Sequence, residues 1–220
     1  MIRTVVADDH PVVRMGVIAV LECARGIDVV GEAHSSTALM ALLDTTGCDV
    51  LITDYSMPDD TYGDGLRMLE KLRRRYPGLA IIVLTMVSNP AAIQAMAALG
   101  CKGICDKRAP LVDCVRAIRA IRSGKRFHSA AALRALSARR PLPDIAPTST
   151  PGSATFALTP KEVDVVRLVA EGLTVEQIAG RLHRSPKTVS AQKRGAMARM
   201  GVTSDEALMR YAYESGLAWR

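Results

Sequence analysis

The sequence predicts two unlike parts: an α/β unit built on a five-stranded doubly wound parallel sheet and, beyond a proline-rich stretch, a small all-α unit. Three observations lead there. In residues 1–124 strand-like apolar runs alternate five times with helical stretches, the composition changes at Ser137, and helix-start signals crowd residues 158–220.

The strand candidates are residues 2–7, 27–32, 49–53, 79–84 and 102–106. Each is too apolar for a sheet with one wet face, so helices should cover both sides. Helices are expected to begin near Pro11, Ser36, Asp64, Asn89 and Pro110. Asn89 followed by Pro90 reads as an N-cap with proline at the first helical position, where the missing N–H costs nothing. Five βα units joined by right-handed crossovers favour the flavodoxin-like strand order. Its ligand crevice opens at the carboxyl ends of the strands, around the first and third.

From Ser137 the chain turns to Arg139, Arg140 and four prolines (Pro141, Pro143, Pro147 and Pro151) among Ser, Thr and Ala. This composition is that of a linker, and the expected division is 1–124, a linker at 125–157, and 158–220. Residues 141–157 could extend by about 3.1 Å each, too slack a tether to transmit a rigid push. Thr159, Pro160 and Glu162 then set out a capping box, followed by Val163, Val166 and Val169 at helical spacing. A second box, Thr174 to Gln177, opens a helix holding Ile178 and Leu182. Ser185 with Pro186 opens a third, and residues 204–215 can form a fourth. Only His183 and Arg184 separate the second and third, which is helix-turn-helix spacing.

At 220 residues and 49% hydrophobic content the chain can support two packed cores. No apolar run approaches the length that spans a bilayer, and Met1-Ile2-Arg3 leads into a strand rather than a signal sequence, so a cytoplasmic protein away from membranes is expected. The five cysteines (Cys23, Cys48, Cys101, Cys105, Cys114) include no C-x-x-C pair and read as reduced core residues. The net charge of +7 is unevenly spread: 13 Lys/Arg face 14 Asp/Glu over residues 1–121, six face one over 122–152, and ten face seven over 153–220. A basic excess confined to the C-terminal half points to a polyanion such as nucleic acid, or to no more than a solvated basic surface.

Five residues fall where the predicted strands end. Asp8 and Asp9 follow strand one, and Asp54, Thr85 and Lys107 end strands three, four and five. The fold collects them in one crevice. Carboxylates that close repel one another unless a cation or a lysine compensates, and Mg²⁺ suits a few carboxylate oxygens with open positions. The chemistry expected is phosphoryl transfer onto Asp54, with Lys107 neutralising phosphoryl charge and Thr85 donating a hydrogen bond. Singly, each residue has a plainer reading: Asp8 and Asp9 as caps for the helix at Pro11, Thr85 as a strand-end hydroxyl, Lys107 as a surface lysine. Asp59, Asp60 and Asp64 lie in a polar loop with Gly63 and Gly65 and read as solvated or capping residues.

The motifs A-D-D-H-P at 7–11, L-I-T-D-Y-S-M-P at 51–58 and L-T at 84–85, with Lys107, resemble the receiver domains of two-component response regulators. The resemblance implies that Asp54 accepts the phosphoryl group from a sensor histidine kinase or phosphotransfer protein. It also implies that Asp9, Asp54 and the Ser56 carbonyl ligate Mg²⁺, that Asp8 holds the ion through water, and that Thr85 and Lys107 sense the phosphate. Many receivers carry an aromatic switch residue three positions before the lysine and a proline just after it. Here Ile104 and Arg108 stand in those places.

In the third C-terminal helix Val189, Gln192, Ala196 and Met200 form one stripe and Ser190, Lys193, Arg194 and Met197 another; residues 181–200 carry six basic side chains and no acidic one. The second stripe, with Lys187 near the helix start, is suited to a major groove, the plainer reading being a solvated amphipathic helix. L-T-P-K-E-V at 158–163, E-G-L-T-V-E-Q-I-A at 171–179 and S-P-K-T-V-S at 185–190 resemble the LuxR-type domain of the NarL/FixJ subfamily. That resemblance implies a transcriptional regulator binding double-stranded DNA as a homodimer when phosphorylated, with a fourth helix around Leu208 and Tyr211 able to pair two DNA-binding domains. Trp219 is read as an anchor for the chain end. An enzyme of the haloacid-dehalogenase type also uses strand-end aspartates, but wants D-x-D-x-T after its first strand, where this chain has Asp8-Asp9-His10-Pro11. A transcription factor acting without phosphorylation, or through a partner protein, keeps the same architecture and stays open.

Overall fold

A computed structural model of the chain describes residues 1–57, 62, 65–87, 89–137, 158–200 and 202–214. Asp59, Asp60, Asp64, the tether 141–157 and Trp219 lie outside the described residues. The N-terminal part runs β1 (Ile2–Ala7), α1 (Pro11–Glu22), β2 (Ile27–Ala33), α2 (Ser36–Thr45), β3 (Val50–Asp54), α3 (Gly65–Arg75), β4 (Ala80–Thr85), α4 (Pro90–Ala98), β5 (Gly103–Asp106), α5 (Val112–Arg122), β6 (Phe127–His128) and α6 (Ala130–Ser137). The sheet is parallel throughout, in the order β2-β1-β3-β4-β5-β6. Alternation along each strand sorts its side chains onto two cores. Val6, Ile52, Ile82, Leu84 and Cys105 pack with α1 and α5 on one face, while Val5, Leu51, Ile81, Val83 and Ile104 pack with α2, α3 and α4 on the other.

The five expected strands are present within a residue or so, but the sheet has six. Residues 125–137, expected as linker, supply the sixth strand and a helix. Phe127 and His128 pair with Gly103 and Ile104, closing the edge that β5 would otherwise leave open. Phe127 packs on the α1/α5 core, and Ala132 and Ala135 are buried against the other. A two-residue strand beside Lys125 and Arg126 has no apolar run to announce it. Helix α5 starts two residues after Pro110, because Leu111 makes a helical-turn N-cap without a side-chain bond. The cysteines are free, but only Cys101, Cys105 and Cys114 are buried; Cys23 is exposed and Cys48 half-buried, against the expectation of five core residues.

The C-terminal part is α7 (Pro160–Ala170), α8 (Val175–Leu182), α9 (Pro186–Met200) and α10 (Asp205–Glu214). Both capping boxes form, Thr159 with Glu162 and Thr174 with Gln177. Between α8 and α9 the backbone turns through His183, at φ 47° the one described non-glycine residue in the left-handed region. Leu158, Val163, Val166, Ile178, Leu182 and Val189 are fully buried together. Leu208 is fully buried as well, so it holds α10 to its own domain and offers nothing to a second one. The slack tether anticipated from composition is not the sole link between the parts. Tyr55, following β3, donates a 2.9 Å hydrogen bond to Asp164 of α7.

Candidate functional site

Each parallel strand delivers its last residue to the same edge of the sheet. β1 ends at Ala7 and hands on to Asp8, 1% exposed; β3 ends on Asp54, 4% exposed; β4 ends on Thr85, 3% exposed. Lys107 follows β5, and its ammonium sits 2.8 Å from Asp8 Oδ2 and 2.7 Å from Asp54 Oδ2. Asp9 is partly exposed at the mouth, 2.7 Å from His10 Nδ1, while the His10 backbone N–H donates to Asp8 at 3.0 Å. The main chain fixes the lysine as well: the Lys107 N–H donates to the Thr85 carbonyl at 3.0 Å, tying the two predicted phosphate sensors together. The Thr85 hydroxyl accepts from the Val87 N–H at 3.0 Å, which orients it. Arg14 donates to the Asp8 carbonyl at 2.7 Å and pairs with Glu32, pinning the end of β1 from outside.

The electrostatics follow from burial. Loss of water pushes the Asp54 carboxyl up to about 7; Lys107 pulls it down, Asp8 adds to the rise, and the Ser56 N–H bonded to the carboxylate lowers it. Burial works against the charge on Lys107, but Asp54 and Asp8 more than offset it and hold its pKa above the ordinary lysine value. Buried carboxylates thus outnumber the buried ammonium, and the set favours a further positive charge. Asp8, Asp9, His10 and Asp54 each bring a ligand atom within 4.8 Å of the others. The carboxylates are hard donors, a set that fits Mg²⁺. His10 was not singled out from the sequence; its place directly after Asp8-Asp9 was the available signal. Ser56 is close by as expected, its hydroxyl contacted by Arg167 of α7.

At the other end of the chain, α9 buries Val189 and Ala196 and half-buries Gln192 and Met200, as the first stripe predicted. Lys187 and Arg194 are exposed, and Ser190 is partly so. Lys193 differs from expectation: its ammonium pairs with Asp205 of α10 at 2.7 Å. Arg184, also not singled out, braces the turn by donating to Gln192 Oε1 at 3.0 Å and to the Lys161 carbonyl.

Comparison with known proteins agrees with this division. Residues 4–119 match the response regulator receiver domain, and residues 157–212 match the bacterial regulatory proteins of the luxR family. Transcriptional regulatory protein RcsB of Escherichia coli K12 is 42% identical over 209 residues, covering 95% of this chain and 93% of that protein. The structure of RcsB from Salmonella enterica serovar Typhimurium bound to promoter P1flhDC with the phosphomimetic BeF₃⁻ superposes with a TM-score of 0.81 at 40% identity, covering 97% of this chain and 98% of that one. A structure of two RcsB dimers bound to two parallel DNAs matches with a TM-score of 0.62 at 40% identity over 96% of each chain. Those relatives are transcriptional regulators, and among the described residues no helix is long and apolar enough to cross a membrane. The chain belongs to the response regulators that join a receiver domain to a LuxR-type helix-turn-helix domain.

Proposed function

We propose that the chain is a cytoplasmic transcriptional regulator of a two-component system or phosphorelay, phosphorylated on Asp54 and binding double-stranded DNA as a dimer. The observation that carries this reading is the convergence of Asp8, Asp54 and Lys107, all nearly excluded from water, at the edge of the sheet where Thr85 also ends. A carboxylate oxygen of Asp54 attacks the phosphorus of a phosphohistidine, on a sensor kinase or phosphotransfer protein, or of a small phosphodonor. The new O–P bond forms as the bond to the donor breaks, and the electron pair leaves with the donor. Lys107 moves from the carboxylates to a phosphoryl oxygen, and the Thr85 hydroxyl donates to another. Asp9, Asp54 and the Ser56 carbonyl would hold Mg²⁺, with Asp8 engaged through water. When bound, the ion neutralises charge on the carboxylates and the incoming phosphoryl oxygens.

For the DNA end, Lys187, Ser190, Lys193 and Arg194 of α9 are assigned to the major groove and its phosphates. Lys193 reaches DNA by exchanging Asp205 for a phosphate. The RcsB structures on DNA, with a phosphomimetic and as dimers, support both halves of the reading. We place the receiver at residues 1–137, through α6, and the DNA-binding domain from Leu158.

The test is intact mass after incubation with acetyl phosphate and Mg²⁺. One phosphate should be gained, and the gain should vanish in Asp54→Asn or on chelation of the metal. Labelling of Asp54→Asn at the wild-type level would refute the assignment.

A further inference from the structure

Residues 114–143 carry eight Lys/Arg and not one Asp or Glu. The run is longer than the acid-free stretch at 181–200 that supplies α9, and it holds more cations. It belongs to the receiver and the start of the tether, and the chemistry at Asp54 makes no use of it. The fold gathers part of it in one place. Each helix runs back from the carboxyl edge of the parallel sheet to its amino edge, so α5 ends where β2 and β6 begin. Arg122 is the last residue of α5, Lys125 and Arg126 stand just before Phe127 opens β6, and Arg25 stands in the turn before β2. The Arg122 guanidinium lies 3.7 Å from the point that a Cβ on Gly26 would occupy, which brings it beside Arg25. All four cationic residues are exposed.

Elsewhere in the receiver cations are matched. Arg14 pairs with Glu32, Arg75 with Asp44, Arg108 with Asp106 and, earlier on α5 itself, Arg116 with Asp113. Arg25, Arg122, Lys125 and Arg126 make no ion pair among the described residues, although the exposed Glu22 and Asp28 flank Arg25 in the chain. A cation in the last turn of a helix complements its dipole, and that accounts for Arg122. Lys125 and Arg126 lie beyond the last turn, where that field has fallen off. Unmatched cations this close repel one another, and a polyanion is the partner that turns the repulsion into attraction.

We propose that this patch holds the phosphate backbone of a second stretch of duplex DNA, so that the protein bridges two DNA segments, one at α9 and one at the amino edge of the receiver. The proposal rests on the assignment of α9 made above for the first segment only. That the segment at the patch is a different one follows from position. The DNA-binding domain meets the receiver at the opposite, carboxyl edge, where Tyr55 bonds Asp164, so the patch faces away from it and from a duplex lying on α9. The centre of a protein interface is depleted of charge and built on buried apolar anchors. The aromatic beside the patch, Phe127, is already committed to the α1/α5 core, and what remains is exposed Lys and Arg. Such side chains suit phosphates, which they hold without reading sequence. The second grip is therefore indifferent to sequence and sensitive to salt.

The test uses the full chain and two random-sequence duplexes, one immobilised and one dye-labelled in solution. Wild type retained on the first should capture the second. Capture should fall on the order of 100-fold between about 50 and 200 mM salt if four phosphates are met, from a logarithmic slope near −0.9 for each. The triple variant Arg122→Glu, Lys125→Glu, Arg126→Glu should lose capture by about 10-fold or more, while staying on the immobilised duplex and accepting phosphate from acetyl phosphate as wild type does. Glutamine at the same three positions should act in the same direction, which ties the loss to charge. Undiminished capture by the triple variants means that the two DNA-binding domains of a dimer do the bridging, and overturns the proposal. So does a wild type that captures polyglutamate but no second duplex, since the partner is then an acidic protein. A wild type that fails to stay on the immobilised duplex overturns the assignment of α9 instead, and the bridge with it.

Discussion

The acidic pocket and α9 use charge in opposite ways. Lys107 lies within 2.8 Å of both Asp8 and Asp54 and all three are nearly dry, whereas Lys187 and Arg194 stand in solvent along one face of α9. In the pocket each charge is held by burial and by its neighbours, so changing one alters the others. On α9 the charges act additively and through water, so salt screens them. A switch needs the first arrangement, and a salt-dependent attraction to a polyanion needs the second.

That contrast can be broken most severely at Lys107. In Lys107→Ala two buried carboxylates lose their shared cation, and urea unfolding at pH 8 without metal should report a loss of about 3–5 kcal/mol. An equivalent Ala substitution at exposed Arg194 should leave folding stability within about 0.5 kcal/mol. If both substitutions cost the same, the distinction between the two regions fails.

The pocket should also give the protein a pH dependence of its own. The folded pKa of Asp54 is raised to about 7 from 3.8, so between those values the native state binds more protons than the unfolded chain. Stability in the absence of metal is then fully present below about pH 4 and is lost as pH rises through 7, by on the order of 4 kcal/mol. Denaturation curves across that range should show the decline in wild type and lose this component in Asp54→Asn.

Smaller and differently shaped effects are expected on α9. Lys193→Ala and Arg194→Ala should each weaken DNA binding by about 1–3 kcal/mol if they contact bases. Affinity should fall with salt at a logarithmic slope near −0.9 for each phosphate neutralised. Lys193→Ala should cost less than Arg194→Ala, because Lys193 gives up its pairing with Asp205 to bind. Titration at several salt concentrations checks the slope and the order together.

The pocket was legible in the sequence because strand ends are: Asp8, Asp54, Thr85 and Lys107 each sit at the close of an apolar run, and a parallel sheet brings such positions to one edge. The α9 stripes were legible for the same kind of reason, a period of 3.6 with buried residues where it predicts them. The interdomain contact was not. Val163, Val166 and Val169 already give α7 an inward stripe, which makes Asp164 and Arg167 read as solvent-facing charges. Their burial depends on Tyr55, 109 residues earlier, for which no local pattern exists. The sixth strand was hidden likewise, since Phe127 and His128 are strand only because β5 offers an unpaired edge. The pairing of Lys193 with Asp205 depends on how α10 folds back, which periodicity within α9 does not contain.

The central claim is that chemistry at Asp54 governs DNA binding through α9. The most direct measurement is a DNA titration with wild type and Asp54→Asn, each with and without acetyl phosphate and Mg²⁺, with analytical ultracentrifugation on the same samples. Phosphodonor should raise the affinity of wild type by some 5- to 150-fold, with dimers forming on DNA, and should leave Asp54→Asn unchanged. Equal tightening in both proteins, or tight binding by wild type that is indifferent to the phosphodonor while the mass shows Asp54 phosphorylated, would contradict the account.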